Sequence, residues 1–442
     1  MWKQAHRPAI AVLVLLALAL LPCLASGQFA GPSYGGATYL EKLGEVGIFF
    51  GSMQIMNPAD PNYGGILRDE NSADGYQSDV GKAIWCWSTL KALTGTADFD
   101  SRIALAWIYQ NRIDPNTRSV WYQYTYDSAW FLIGEMAYRH ATGDASNVTL
   151  AETHATWVIN NKLDWRIPRD IVTDGFASGA IYDWAVDQGN TQLQTDATNR
   201  GDDVRQEIEN NPTLLQTRSI EIAGAIGYMG VLKSVFQSDY EARKGWIETY
   251  APYLPTSIPS GGYQYSYQGY VAGAHEVTWE YTANPAWKAI QMSLVPPLIA
   301  EDDDNDGGIP RNSTLTYDDS WVTGNLGHFN FYEMIPDLDL TISPDNWRVV
   351  VPGSFVFDFG AAHHRNTTQS YYLVAFLKFP SGYLVVLAVV KVTLPAGYVL
   401  SVPDVAFPFG AGSPTGTYEL KIQSYTTGAK LLDTAVAQFE VL

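Results

Sequence analysis

SDVGKAIWCWSTLKAL, residues 78–93, reads as a helix with no water-facing side: only Asp79, Lys82 and Lys91 carry charge. A helix that is apolar all round belongs inside a protein. Further stretches share its small-residue, tryptophan-rich character: YDSAWFLIGEMAYRHATG (126–143), DGFASGAIYDWAVDQ (174–188), SIEIAGAIGYMGVLKSVF (219–236), HEVTWEYTANPAWKAIQMSL (275–294) and DDSWVTGNLGHFNFYEM (318–334). Each opens near an acid. Asp79, Asp127, Asp174, Glu221, Glu276 and Asp319 follow one another at steps of 48, 47, 47, 55 and 43 residues. A period in that range marks a helical-hairpin repeat. It predicts equivalent helices with acids at equivalent ends.

Between these runs lie helices that carry more charge: 38–53, 98–111, 147–161 and 239–254, with two less sharply marked around 202–210 and 284–298. The total is about twelve, or six hairpins. Small-residue helices pack closely on all sides, whereas charged ones keep one face in water, so the expectation is an inner ring inside an outer ring. Loops entering the inner helices are long and aromatic or glycine-rich: 57–77, 114–124, 253–273 and 301–317. They should share one face of the molecule, where function usually sits.

The character changes near residue 338. Runs such as NWRVVV (346–351), GSFVFDF (353–359), SYYLVAFLKF (370–379) and GTYELKIQSY (416–425) are short, β-branched and aromatic. About seven strands in about a hundred residues predict an antiparallel β-sandwich of immunoglobulin-like type. The expected domains are 28–337 and 338–442.

Residues 1–27 are set apart. Lys3 and Arg7 precede an apolar run at 10–21, and Ala25, Ser26 and Gly27 precede Gln28. That is the pattern of a secretory signal peptide, which places the protein outside the cell or in a periplasm. Pro22 argues against lipidation at Cys23. Without this segment only Cys86 remains, so an exported chain would have no internal disulfide. The formal net charge is −19. Such an excess disfavours nucleic acid and anionic membranes as partners and suits calcium or neutral substrates such as sugars. No later run has the length of a membrane span.

The period and the loop asymmetry, with the glycine pairs of GGIL (64–67) and GGIP (307–310), resemble the (α/α)6 toroid of six-hairpin glycosidases. Terpenoid cyclases and some polysaccharide lyases share that toroid. The resemblance implies a carbohydrate-active protein with a loop-lined funnel. A glycosidase needs one carboxylic acid and one carboxylate facing each other. Asp79, Asp127, Glu276 and Asp319 are the candidates, with Asp69 on the loop before Asp79. Acids at helix starts also serve as caps, which is the competing expectation for each of them. His275 and His328 fall near the funnel in this register, while His363 and His364 are expected at the surface of the β-domain.

Sugar rings stack on aromatic faces, and Trp121, Tyr124, Tyr265, Trp279 and Trp321 are the candidate binding residues. EDDDNDGGIP (301–310) alternates Asp302, Asp304 and Asp306 before a glycine, the first half of a calcium loop. The Gly308 carbonyl and Asp318 are candidates to complete it. Ser313 stands where an EF-hand has its glutamate. The same acids also read as the diphosphate–magnesium motif of terpenoid enzymes, but Gly307, Gly308 and Pro310 break the helix that motif needs. Asn147, Asn312 and Asn366 head glycosylation sequons. Two functions remain open: a glycosidase or lyase, or a non-catalytic calcium-stabilised binding protein with a cell-surface partner for its C-terminal domain.

Overall fold

In the computed structural model the described residues are 33–34, 37–219, 222–236, 239–282, 284–333, 335, 337–363, 369–395, 398–427 and 431–442. The expected signal segment, Glu221, His364 and Asn366 lie outside them. The described residues form two compact units that divide between 335 and 337.

The first unit contains twelve helices: α1 Tyr39–Met53, α2 Gln77–Thr94, α3 Asp100–Gln110, α4 Tyr122–Thr142, α5 Val148–Asn160 and α6 Pro168–Gln188, then α7 Thr191–Asn210, α8 Gly224–Ser234, α9 Tyr240–Tyr250, α10 Gln264–Thr282, α11 Pro285–Ile299 and α12 Ser320–Leu326. Wider π-helical turns carry α12 on through Gly327–Tyr332. The even-numbered helices touch in sequence, α2 to α4, α6, α8, α10 and α12, and α12 returns to α2. They therefore close a ring, with each odd helix packed outside. Burial follows the composition. Every residue of α2 from Gln77 to Leu90 is buried, whereas α7 buries one stripe, Leu193, Ala197, Arg200, Gly201, Val204 and Ile208.

Glycine allows the ring to be this tight. A Cβ on Gly81 would sit 2.8 Å from the Trp130 carbonyl oxygen of α4. A Cβ on Gly230 of α8 would overlap the Gly175 carbonyl oxygen of α6. No helix among the described residues is long and apolar enough to cross a membrane.

One boundary differs from the sequence reading. The segment 264–273, expected as part of a loop, is the first half of α10. Its glycines and tyrosines are the small and aromatic residues of an inner helix, and the run 275–294 breaks where Asn284 caps α11 ahead of Pro285.

The second unit has eight strands: β1 Leu338–Pro344, β2 Arg348–Val349, β3 Gly353–His363, β4 Gln369–Lys378, β5 Leu384–Leu394, β6 Val399–Phe409, β7 Gly416–Thr426 and β8 Leu431–Val441. They form two sheets, β6-β3-β1 and β2-β8-β7-β4-β5. All neighbours are antiparallel except β2 on β8, so the larger sheet is mixed rather than purely antiparallel. Alternate residues fill one core, among them Phe355 and Phe357 of β3, Leu373 of β4, Leu420 of β7 and Phe439 of β8. His363 belongs to the interior rather than the surface: it is 2% exposed and bonds the Pro395 carbonyl through Nδ1 at 2.6 Å.

Two predictions follow from the packing of the ring. Gly230→Ala should destabilise the fold by about 1–3 kcal/mol in urea denaturation, because overpacking outweighs the better helix propensity of alanine. His154 of α5 packs on α4, with Nδ1 3.0 Å from the Ser128 hydroxyl and its ring 4.3 Å from that of Phe131. Burial pulls its pKa down to about 3. The unfolded chain binds that proton near the ordinary histidine value of about 6.5. The stability is therefore complete above that value and falls as pH drops, by about 1.4 kcal/mol per pH unit. His154→Gln should flatten the acid limb of a stability–pH curve between pH about 6.5 and 4.5.

Candidate functional site

Three of the four candidate catalytic acids converge. Asp79 lies in the first turn of α2, Asp127 in the second turn of α4, and Asp319 immediately before α12, on neighbouring members of the ring. All are buried, at 1%, 3% and 0% exposure. Lys82 sits among them, itself wholly buried. Its ammonium donates to Asp79 Oδ1 at 3.1 Å and to the Trp321 carbonyl at 3.3 Å. The rings of Tyr126, Trp130 and Trp321 surround it at 5.3, 5.3 and 5.2 Å. Burial pulls the lysine pKa down to about 8, against the opposing charges of Asp79, Asp319 and Asp127.

Each acid is engaged in its own way. Asp319 caps α12, accepting from the Trp321 and Val322 amides at 2.9 and 3.0 Å. Its other oxygen is in ionic contact with Arg311 Nε at 2.9 Å, without the alignment of a hydrogen bond. Asp127 does not cap its own helix. Its Oδ1 accepts from the Ser78 amide of α2 at 3.1 Å and from Gln123 at 3.0 Å, and Arg118 lies 3.4 Å from Oδ2. Burial pushes its pKa up to about 6, Arg118 and the two donors oppose the shift, and the Asp79 charge adds to it.

Glu276 is not part of this group. With α10 beginning at Gln264, it stands in the body of the helix rather than at its start. It holds Lys288 of α11 at 2.8 and 2.7 Å, and Trp279 lies under the same ammonium at 4.6 Å. Asp174 likewise pairs with Arg200 of α7 at 2.8 Å. His275 bonds the Pro255 carbonyl at 2.9 Å, and His328 is stacked between Trp85 and Phe329. Burial pulls His328 down to about 4.

The aromatic candidates separate by exposure. Tyr265 and Trp321 are core residues, 4% and 5% exposed. Trp121, immediately before α4, is 45% exposed. It is the one exposed tryptophan among the described residues of the helical unit. Its ring meets Tyr122 and Tyr124 edge-on, each at 5.2 Å. The guanidinium of Arg118 covers Tyr124 at 4.3 Å and that of Arg169 covers Tyr122 at 3.6 Å. Arg169 is paired with Asp170 at 3.1 Å, and Val120 and Ile167 are exposed nearby in sequence. Arg118 and Arg169 carried no motif that marked them in the sequence.

The acidic loop lies against α1. Asp302, Asp304 and Asp306 bring their oxygens within 4.8 Å of one another, and Glu70, Asp306 and Asp318 do the same; either group could hold a metal ion. Gly308 packs against Asp318 and donates its amide to Asp306 at 2.7 Å. Glu70 was not a sequence candidate. It reaches the cluster through a pairing between distant loops: its amide donates to the Asp318 carbonyl at 3.2 Å, and the Asp318 amide donates to its carboxylate at 3.0 Å.

No family model and no curated protein matches the chain. Solved structures align with it weakly. The CARDB domain of the PF1109 protein of Pyrococcus furiosus, in complex with di-metal ions, is 14% identical over 24% of this chain and 89% of that one, with a TM-score of 0.20. A β-glucosidase of Listeria innocua in complex with glucose is 14% identical over 24% of this chain and 16% of its own, with a TM-score of 0.19. The alkylpurine DNA glycosylase AlkC of Pseudomonas fluorescens, bound to DNA containing an abasic site analog, is 9% identical over 84% and 99%, also with a TM-score of 0.19. At such scores none of them supports a functional argument.

The buried lysine is testable. Lys82→Met leaves Asp79, Asp127 and Asp319 without their central cation, so it should cost about 3–5 kcal/mol in urea denaturation. Lys82→Met with Asp79→Asn should recover part of that loss, because one buried charge goes with its partner.

Proposed function

We propose that this chain is a secreted carbohydrate-binding protein on a toroid like that of six-hairpin glycosidases, taking its saccharide on the rim rather than in the funnel. The observation that carries this reading is the shelf around Trp121. An exposed indole beside Tyr122 and Tyr124 supplies the apolar face that a sugar ring stacks on. Arg118 and Arg169, paired with Asp127 and Asp170, supply donors and acceptors at its edge without a net charge. That chemistry suits neutral hydroxyl groups better than an ionic ligand. Secretion is proposed on the basis of the pattern in residues 1–27. For the C-terminal unit the proposed surface partner rests on exposed Tyr383, Leu384, Val386 and Val389, at or just before the edge strand β5.

A hydrolase is the second reading. Asp127, held up to about 6 beside Asp79, has the character of an acid–base pair. Against it stand the burial of both acids and the engagement of Asp79 by Lys82.

Titrating the mature protein with a panel of neutral oligosaccharides, followed by tryptophan fluorescence and by release of reducing ends, tests both. The expected result is saturable binding that Trp121→Ala weakens about tenfold or more, with no cleavage. Binding unaffected by Trp121→Ala would remove the rim reading, and reducing ends that disappear in Asp127→Asn would establish the hydrolase.

A further inference from the structure

The ring closes where its first and last hairpins meet, and no disulfide among the described residues holds the ends. The loop between α1 and α2 pairs with the loop before α12 instead. Asp69 bridges to Asp319, Pro310 to Asp318, and the Ser320 amide donates to the Arg68 carbonyl at 2.8 Å. The acidic cluster lies on this seam.

Its two halves are not equivalent. In the half anticipated from the sequence, the carboxylates already hold backbone amides. Gly307 donates to Asp302 at 3.3 Å, Asp306 to Asp304 at 3.3 Å and Gly308 to Asp306 at 2.7 Å. The Lys42 ammonium is 3.7 Å from Asp302. That loop has largely satisfied itself. Among the described residues the other set, Glu70, Asp306 and Asp318, has no such cation: Glu70 holds the Asp318 amide and Asp306, common to both sets, holds that of Gly308. Asp318 is only 8% exposed, yet its carboxylate has neither a hydrogen bond nor an ion pair among the described residues. It would block a Cβ on Gly308, and a carboxylate oxygen from each of Glu70 and Asp306 lies within 4.8 Å of one of its own. A buried carboxylate facing two more carboxylates is costly unless a cation offsets it.

The geometry points to a divalent-cation clasp at the seam, made by Glu70, Asp306 and Asp318 and not by the Asp302–Asp304–Asp306 loop. The donors are all carboxylate oxygens, which select a hard cation, and calcium tolerates such an irregular set better than magnesium. The ion would tie Glu70, on the loop after α1, to Asp318, next to the cap of α12. This inference is independent of the carbohydrate reading.

The test is the melting temperature of the full mature protein in chelator and in calcium chloride, with calorimetric titration of calcium alone. Wild type should gain about 5 °C at calcium 100-fold above Kd. Glu70→Gln and Asp318→Asn should lose that gain, yet melt no lower than wild type in chelator, because each removes a repelling charge. Asp304→Asn should keep the gain. The clasp is overturned if wild type shows no calcium-dependent rise, or if Asp304→Asn abolishes the rise while Glu70→Gln keeps it. It is equally overturned if Glu70→Gln and Asp318→Asn both melt below chelated wild type, since the side chains would then hold the seam without an ion.

Discussion

One ammonium group is buried where the starts of α2, α4 and α12 meet. Lys82 is wholly buried, bonds Asp79, and is walled by the rings of Tyr126, Trp130 and Trp321. Ring closure brings the starts of α2, α4 and α12 together, and with them Asp79, Asp127 and Asp319. Three carboxylates in one dry space repel strongly unless a cation lies among them. The lysine supplies it, and the aromatic faces offset part of its lost hydration. The ring and its buried charges therefore depend on each other: without the acids the lysine would be stranded, and without the lysine the acids would force the helix starts apart.

The same dependence explains why Arg311 and Arg118 stand where they do. Each approaches one ring acid from the loop side, Arg311 at Asp319 and Arg118 at Asp127. Arg311 also reaches Asp69 at 2.8 Å, which links the cap of α12 to the loop before α2. The seam is thus held by backbone pairing and by one shared arginine. With no disulfide among the described residues, interactions concentrated at this joint are what keep the ring closed.

Much of this architecture was legible in composition. Inner helices announced themselves as runs of Gly, Ala and Trp, and the twelve-helix count and the change of character near residue 338 both correspond to observed elements. The acids served less well as a ruler. Asp319 is a cap, but Asp127 caps the neighbouring helix and Glu276 stands in the body of α10. The reason is that Gln264–Gly273 looked like a tyrosine-rich loop, whereas glycine and tyrosine there pack as they do elsewhere in the inner ring. Side-chain direction was also invisible: Asp174 and Glu276 turn to basic residues of the outer helices α7 and α11, while Asp79 turns to Lys82 of its own helix. Glu70 could not be found by local pattern, because its place depends on the pairing of loops about 250 residues apart.

A toroid with an open axis offers a ligand convergent groups from several inner helices. At the starts of α2, α4 and α12 Lys82 and the buried rings around it meet one another's polar and apolar demands. On the proposed reading, the ligand is met where side chains are still incompletely covered on the loop face. Trp121 fits that condition, being held by two tyrosines that are themselves fixed by arginines, so under the proposed reading little ordering would remain when a sugar ring stacks on it. The buried charge and the aromatic shelf at the rim are joined through Asp127, which supports the start of α2 on one side and Arg118 on the other. A change at Lys82 should therefore be felt at the shelf through the position of Arg118, even though no ligand would touch it.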